Sequence, residues 1–393
     1  MEKPFISRVV INNYKSIVDC DVQLGTLQFL VGRNGSGKSN FLDALAFVRD
    51  VLEFNNLEKA ANIRYGNIFH LDEKLDTYMK IEFNLPNGAS GEFAFHICVE
   101  GEIGYIVIDE SCRIEQDGKI EEYKTQNGRL FSDDPQRFPP VAPDRFYLQN
   151  MSVYDAFRPL YDALRKMEIC NFVPQRIPMT DRTNRNSPLM SDGENVVQVV
   201  SELTGDTQTR IREYLQLVVP DIYDFYVHGA KDEDRNDRQV AFQIKSGVFY
   251  RDNMSDGTLR ALCVLTALLQ ERKNDKNNHP MLIGIEEPET GLHARAAGAL
   301  LGAMIEAADM RQVIVTTHSA EMLDDKDIIT EQILPVEMRG SKTIIAPMEN
   351  ITKDMLRKHM TTAGELLRQD KLKPEVISQL DKNNKTPISE PNK

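Results

Sequence analysis

The sequence lacks five things, and each absence removes a class of protein. A bilayer-spanning helix needs about 20 consecutive, mostly apolar residues, and no such run occurs. The first ten residues, MEKPFISRVV, carry charge and pass straight into a strand-like pattern, unlike the charged-then-apolar layout of a signal peptide. A cytoplasmic protein with no membrane contact is therefore expected. Paired cysteines are also missing. Cys20, Cys98, Cys112, Cys170 and Cys263 are odd in number, widely spaced and without a CxxC pair, which argues against both a disulfide framework and a zinc site. Buried thiols in a reducing compartment fit better. Positive charge is in deficit, with 47 Lys and Arg against 60 Asp and Glu and a net charge of −13, so the molecule as a whole repels polyanions. Any contact with DNA must be local. The most basic short stretch holds Arg176, Arg182 and Arg185, but Asp181 interrupts it and no aromatic residue is interleaved, so it reads as a solvated loop. Finally, no internal repeat or sustained heptad pattern occurs, which excludes a solenoid and a coiled-coil arm.

What is present is ordinary for a soluble globular chain. Its 393 residues are 41% hydrophobic and 27% charged, enough for one large domain or two modest ones with a full core. Strand-like segments are expected at Ser7 to Asn12 and Thr26 to Val31. Met79, Ile81, Phe83 and Leu85 alternate with polar residues, Phe93, Phe95, Ile97 and Val99 repeat the pattern, and Gly104 to Ile108 adds another segment. With Asn87-Gly88 and Glu100-Gly101 at the turns, these predict antiparallel hairpins with one buried face. From Ser152 to about Leu217 the spacing becomes helical, as in Tyr154, Phe157, Leu160 and Leu164 and again in Val196, Val199, Val200 and Leu203. A charged loop at 231 to 238 joins two strands leading to Tyr250, and Met281 to Thr317 reads as strand, helix, strand, a parallel βαβ unit. After Pro374 the tail is polar and expected to be disordered.

One loop carries specific chemistry. Gly32-Arg33-Asn34-Gly35-Ser36-Gly37-Lys38-Ser39 fits GxxxxGK[ST], follows the apolar segment LQFLV and precedes a helix with apolar Phe41, Leu45, Val48 and Leu52. In such a loop the glycines let backbone N–H groups turn inward on phosphates, and the helix N-terminus adds its positive end. Asn34 through Asn40 form the candidate cradle, with Lys38 reaching the β- and γ-phosphates and Ser39 ligating Mg²⁺. By itself the loop says only that a nucleoside triphosphate binds.

Two later segments narrow the class. The apolar segment Met281 to Ile285 ends in Glu286-Glu287-Pro288-Glu289. An acidic residue there can hold the Mg²⁺ shell, and a second can polarise the attacking water, so Glu286 is assigned to the metal and Glu287 to the water. The next strand ends in Thr317-His318-Ser319, which places His318 as a candidate γ-phosphate sensor. Ser-Asp-Gly occurs twice, at 191 to 193 and 255 to 257, but only the second precedes a helix, Leu259 to Gln270, and then the carboxylate segment. Ser255 and Gly257 thus form a second anion site, a small-residue turn at a helix start.

Together NYKSI (13 to 17), GRNGSGKSN (32 to 40), MSDGTLR (254 to 260), IEEPETGLH (285 to 293) and VTTHSAEML (315 to 323) resemble the bacterial ABC-type ATPases of the AAA-like family related to RecF, SMC and OLD proteins. The resemblance implies an α/β fold: a P-loop ABC ATPase head with a mixed sheet, an antiparallel β lobe and a helical insertion lobe. On it the chain divides into an N-terminal ATPase lobe at 1–150, a helical insertion at 151–217, a C-terminal ATPase lobe at 218–335 and an extension with a disordered tail at 336–393. It further implies ATP and Mg²⁺ as cofactors and a homodimer or higher homo-oligomer in which Ser255 and Gly257 of one subunit close over the γ-phosphate held by the other. Lys15 or Ser16 would touch the nucleotide, and Gln149 in FYLQN would sense the metal. Work in anti-phage defence beside a separate, nuclease-like effector, or in DNA maintenance as for RecF with possible DNA contact, is implied by the same resemblance.

Departures from the pattern restrict it. Transporter ATPases carry LSGGQ and an aspartate before the catalytic glutamate, whereas this chain has MSDGT and Glu286. The stretch between Lys38 and Ser255 is far too short, and too poor in heptads, for SMC-type arms. The segment after Thr317 lacks a convincing acidic DxD cluster of the OLD nuclease kind, so cleavage would belong to a partner. An ordinary metabolic phosphotransferase is disfavoured by the 254 to 260 segment.

Overall fold

Five strands with both faces covered form the centre of the molecule, here described from a computed structural model. The structure describes residues 3–63, 68, 76–101, 104–131, 140–178, 188–229, 231–232, 235–236, 238–271 and 279–375. Arg182 and Arg185 of the basic stretch, part of the charged 231 to 238 loop and the polar tail after residue 375 lie outside the described residues. Glu168–Cys170, Leu282–Glu286, Gln312–Thr317, Leu27–Val31 and Ile333–Arg339 lie side by side in that order, all parallel. Every residue of Leu27–Val31 and Gln312–Thr317 is buried, the polar Gln28, Gln312, Thr316 and Thr317 included, so burial is continuous rather than alternating. Their side chains still alternate in direction. Leu30, Leu282 and Ile314 join the core beneath the helix Lys38–Phe54. Phe29, Val31, Ile283, Ile285, Val313 and Val315 join the opposite core, under the helices Asp256–Leu269 and Ala296–Ala308. Each such buried side chain stabilises by about 1.5–3 kcal/mol relative to exposure.

Past Ile333–Arg339 the sheet changes character without breaking. Lys342–Ile345 runs antiparallel to it and parallel to Ile17–Gln23, and from there Ile6–Tyr14, Thr77–Asn84, Ser90–Glu100, Gly104–Gln116, Lys119–Gln126 and Arg129–Leu130 continue as an antiparallel series. Among the described residues the sheet has 13 strands. Thr77–Asn84 alternates buried and half-buried residues at every step, as expected of a sheet with one covered face. The antiparallel part and the parallel core are therefore one surface, and the short strand Lys342–Ile345 joins them. That joint carries no sequence signal beyond ordinary alternation.

The stretch 151–217 carries the expected helices, Arg158–Arg165, Val196–Glu202 and Gly205–Val218, and also the strand Glu168–Cys170, too short to be read from periodicity. A separate three-stranded antiparallel sheet, Ile222–His228, Gln239–Ile244 and Gly247–Tyr250, leads into the helix Asp256–Leu269.

A buried carboxyl holds the far end of the antiparallel part. Glu110 is 1% exposed and accepts hydrogen bonds from the Tyr123 hydroxyl at 2.5 Å and from the backbone N–H groups of Tyr147 at 2.7 Å and Leu148 at 2.8 Å. Burial pushes its pKa up from 4.5 to about 7, against the opposing pull of those donors. The folded chain thus keeps a proton that the unfolded chain has lost between these values. Stability from this group is complete below pH 4.5 and is lost as pH rises through about 7. The total is at most roughly 3 kcal/mol. Glu110→Gln is expected to flatten the stability profile between pH 5 and 7, measured by urea unfolding at several pH values; identical slopes in the two proteins would refute the assignment.

Candidate functional site

The phosphate-type loop is set by the strand before it and the helix after it. Leu27–Val31 delivers the chain to Gly32, and the helix Lys38–Phe54 begins immediately after Gly37. Gly37 occupies the helix N-cap in the left-handed region, φ 96°, where L side chains are strained. A Cβ there would also lie 1.9 Å from Thr343 Oγ1. Lys38 is 4% exposed, and its Nζ donates to the carbonyls of Gly32 at 2.8 Å and Arg33 at 3.0 Å. Burial pulls the Lys38 pKa down, while Glu287, Glu289 and Glu286 pull it back up. Asn34 and Gly35 are exposed at the tip. Asn40 donates from Nδ2 to Ser16 Oγ at 2.6 Å.

The carboxylates arrive from the neighbouring strands. The parallel register aligns Glu286 with Thr316, and Thr316 with Leu30, so Glu286, Thr316 and Leu30 stand level at one rim of the sheet. Ser39 Oγ donates to Glu286 Oε2 at 2.5 Å. Burial raises the Glu286 pKa, opposed by that hydrogen bond and reinforced by Asp43 and Glu287. One residue on, Glu287 takes a positive φ of 43°, and its N–H donates to the Thr316 carbonyl at 2.9 Å. Its Oε1 lies 3.8 Å from Lys38 Nζ and 3.5 Å from His318 Nδ1. Glu289 accepts at Oε1 from Thr317 Oγ1 at 2.6 Å and from the His318 N–H at 3.3 Å, and its Oε2 is buried without a hydrogen-bond partner. Lys38, Ser39, Glu286, Glu287 and His318 thus meet in one place from three distant parts of the chain.

The structure fits a hard divalent cation with few protein ligands. Ser39 Oγ and a Glu286 oxygen are adjacent oxygen donors, and among the described residues there is no group of three or more His, Cys, Asp and Glu of the kind that cages a metal alone. That is the arrangement Mg²⁺ takes beside a polyphosphate. Gln149 is on the short helix Leu148–Met151, and its Oε1 is buried without a hydrogen-bond partner. Among the described residues no hydrogen bond joins it to residues 32–40 or to Glu286. Lys15 pairs with Asp43 at 2.5 Å.

The Ser255 segment behaves as a helix start. Ser255 Oγ accepts from the Thr258 N–H at 3.2 Å, and the residue is exposed; among the described residues no hydrogen bond joins it to residues 32–40 of its own chain. Two features of this helix were not read from sequence. Arg260, 7% exposed, donates to the carbonyls of Glu286 at 2.8 Å and Glu287 at 3.2 Å and to the carbonyl of Phe172, tying the carboxylate turn to the helix. An arginine inside an apolar helical run was the available signal. Gly257 packs against the Gly291 turn so closely that a Cβ would lie 2.1 Å from the Gly291 carbonyl oxygen.

Comparison with known proteins decides the class. Residues 5–133 match a family model described as an AAA ATPase domain, and residues 136–324 match one described as "AAA domain, putative AbiEii toxin, Type IV TA system". AAA ATPase domain matches thus account for most of the chain, 5–133 and 136–324. Over 41 residues it is 46% identical to the DNA replication and repair protein RecF of Aliivibrio salmonicida and 44% identical to that of Aliivibrio fischeri. Those stretches are 10% of this chain and 11% of each RecF. Among solved structures it resembles an SmcHead bound to the C-winged helix domain of ScpA, at TM-score 0.51 and 14% identity over 89% of this chain and 99% of that one. A Pyrococcus furiosus Smc head domain with an extended coiled coil, bound to the C-terminal domain of ScpA, gives TM-score 0.52 and 13% identity over 91% and 99%. These likenesses show the fold. Among the described residues no helix of this ATPase is long and apolar enough to cross a membrane.

The Gly257 contact gives a direct test. Alanine would gain about 0.5–1 kcal/mol in helix propensity, but overpacking against a backbone carbonyl costs about 1–3 kcal/mol, so the clash wins. Gly257→Ala is expected to lower the thermal midpoint, and a midpoint at or above that of the parent would refute the close approach.

Proposed function

We propose that this ATPase binds ATP with Mg²⁺ at residues 34–40 and Glu286, hydrolyses it with Glu287, and uses the cycle to open and close a homodimer. The observation that carries the reading is the convergence of Ser39, Glu286, Lys38, Glu287 and His318. Lys38 and the N–H groups of the helix start hold the β- and γ-phosphates. Ser39 and Glu286 would hold the metal, with Gln149 as a third oxygen, and Mg²⁺ bound there would neutralise charge developing on the phosphates. Glu287, beside both Lys38 and His318, is placed to take the proton of the attacking water, and His318 contacts the γ-phosphate.

Closure as a dimer accounts for Ser255 and Gly257. Ser255 is exposed and unconnected to its own phosphate loop, which suits a group that covers the γ-phosphate bound by a second copy. In this reading 1–150 and 218–335 are the two ATPase lobes, 151–217 is the helical insertion, and 336–393 is an extension. The toxin-system description of the model matching 136–324 supports a role in anti-phage defence, sensing or scaffolding for a separate nuclease-like effector, in the cytoplasm. A RecF-like role in DNA maintenance is the second reading, favoured by the 41-residue identity with RecF. It requires a local basic stripe despite the net charge of −13, and a salt-dependent DNA-binding assay separates the two.

The catalytic assignment is tested by three variants. Lys38→Ala is expected to abolish turnover, removing roughly 3 kcal/mol of transition-state stabilisation. Glu287→Gln keeps shape but loses basicity, so ATP should still bind while hydrolysis falls by ~10²- to 10⁴-fold. By light scattering this variant should be trapped as a dimer by ATP and should relax with ADP, and adding Ser255→Arg should prevent trapping. Oligomer size independent of nucleotide in every variant would refute ATP-driven closure.

A further inference from the structure

Thr343, which no sequence motif marks, stands at the back of the phosphate loop. It is fully buried on the strand Lys342–Ile345. Its Oγ1 donates to the Ser36 carbonyl at 3.0 Å and lies 2.7 Å from Ser16 Oγ, while its N–H donates to the Ser16 carbonyl at 2.7 Å. Ser16 Oγ in turn accepts from Asn40 Nδ2 at 2.6 Å. A hydroxyl has one proton. Because the Thr343 proton goes to Ser36, Ser16 must donate to Thr343, and the chain runs in one direction: Asn40 to Ser16 to Thr343 to the Ser36 carbonyl.

The direction matters because a peptide unit is planar and trans, so its C=O and N–H point to opposite sides. Holding the Ser36 carbonyl toward Thr343 turns the Gly37 N–H to the opposite side, away from Thr343. The missing Cβ of Gly37 leaves the room that Thr343 fills. We propose that Thr343 is a positioning residue for ATP, aiming the Gly37 N–H at the bound phosphates through the Ser36 carbonyl. The proposal rests on the reading of residues 34–40 as an ATP cradle.

An N–H that contacts phosphate throughout the reaction contributes equally to ground-state and transition-state binding, so its loss falls on KM rather than kcat. Steady-state ATPase kinetics with Mg²⁺ and equilibrium titration with ATP, on the full chain well below the unfolding midpoint of each variant, provide the test. Thr343→Val keeps the shape and removes the hydroxyl; KM and Kd for ATP are expected to rise about tenfold with kcat nearly unchanged. Thr343→Ser keeps the hydroxyl and should restore both to within about twofold of the parent. If the valine variant does not fold, Thr343→Ala makes the same deletion with less bulk. Parental KM without the hydroxyl, or a serine variant as impaired as the valine one, would overturn the proposal. Lys38→Ala, run alongside, separates the failures: if it too leaves ATP binding and turnover intact, the cradle reading is at fault rather than the role of Thr343.

Discussion

The site depends on the register of three buried parallel strands. Once Glu286 lies level with Thr316, and Thr316 with Leu30, the residues just beyond the rim are settled: Gly32, Glu287 and His318 leave the sheet together. In a parallel pair the hydrogen bonds repeat evenly, and a one-residue slip would turn every side chain to the opposite core. Two filled cores therefore fix the register, one under Lys38–Phe54 and the other under Asp256–Leu269 and Ala296–Ala308. Packing far from the rim determines geometry at the rim.

The same packing creates the electrostatics. Lys38 and Arg260 are both almost fully buried, and burial pulls both pKa values down. Neither is left without partners. Lys38 has two carbonyls and three nearby carboxylates, and Arg260 has three carbonyls. Cations out of water and surrounded by oriented oxygen atoms make a site where added negative charge is favoured more strongly than at the surface. Arg260 also makes the carboxylate turn and the Ser255 helix one mechanical unit, with the Gly257 and Gly291 contact as its second fastening.

Continuity of the sheet gives the antiparallel part a route to the loop. Ile17–Gln23 pairs with Lys342–Ile345, whose Thr343 touches Ser36, so the hairpin bearing Tyr14, Lys15 and Ser16 is fastened to the back of the cradle. Glu110 fastens the other end, gathering the start of the Gln149 helix onto the outer strands.

Much of the chemistry was legible in sequence because it is local. GxxxxGK[ST] between an apolar strand and a helix, paired glutamates after an apolar segment, and a histidine after the following strand each describe a chain conformation a few residues long, so spacing was enough to read them. The parallel strand, helix, strand unit and the hairpins followed from periods of two and of about 3.6 residues. Glu168–Cys170 is too short to have a period, and Lys342–Ile345 looks like any half-buried strand. Thr343 and Arg260 act on backbone carbonyls, and a carbonyl is the same in every residue, so no partner type betrays them. By itself the sequence determined which groups are candidates to hold a nucleoside triphosphate. Only the tertiary structure decided which of them meet, because pairing between segments hundreds of residues apart is selected by the shapes of two cores and not by any local preference.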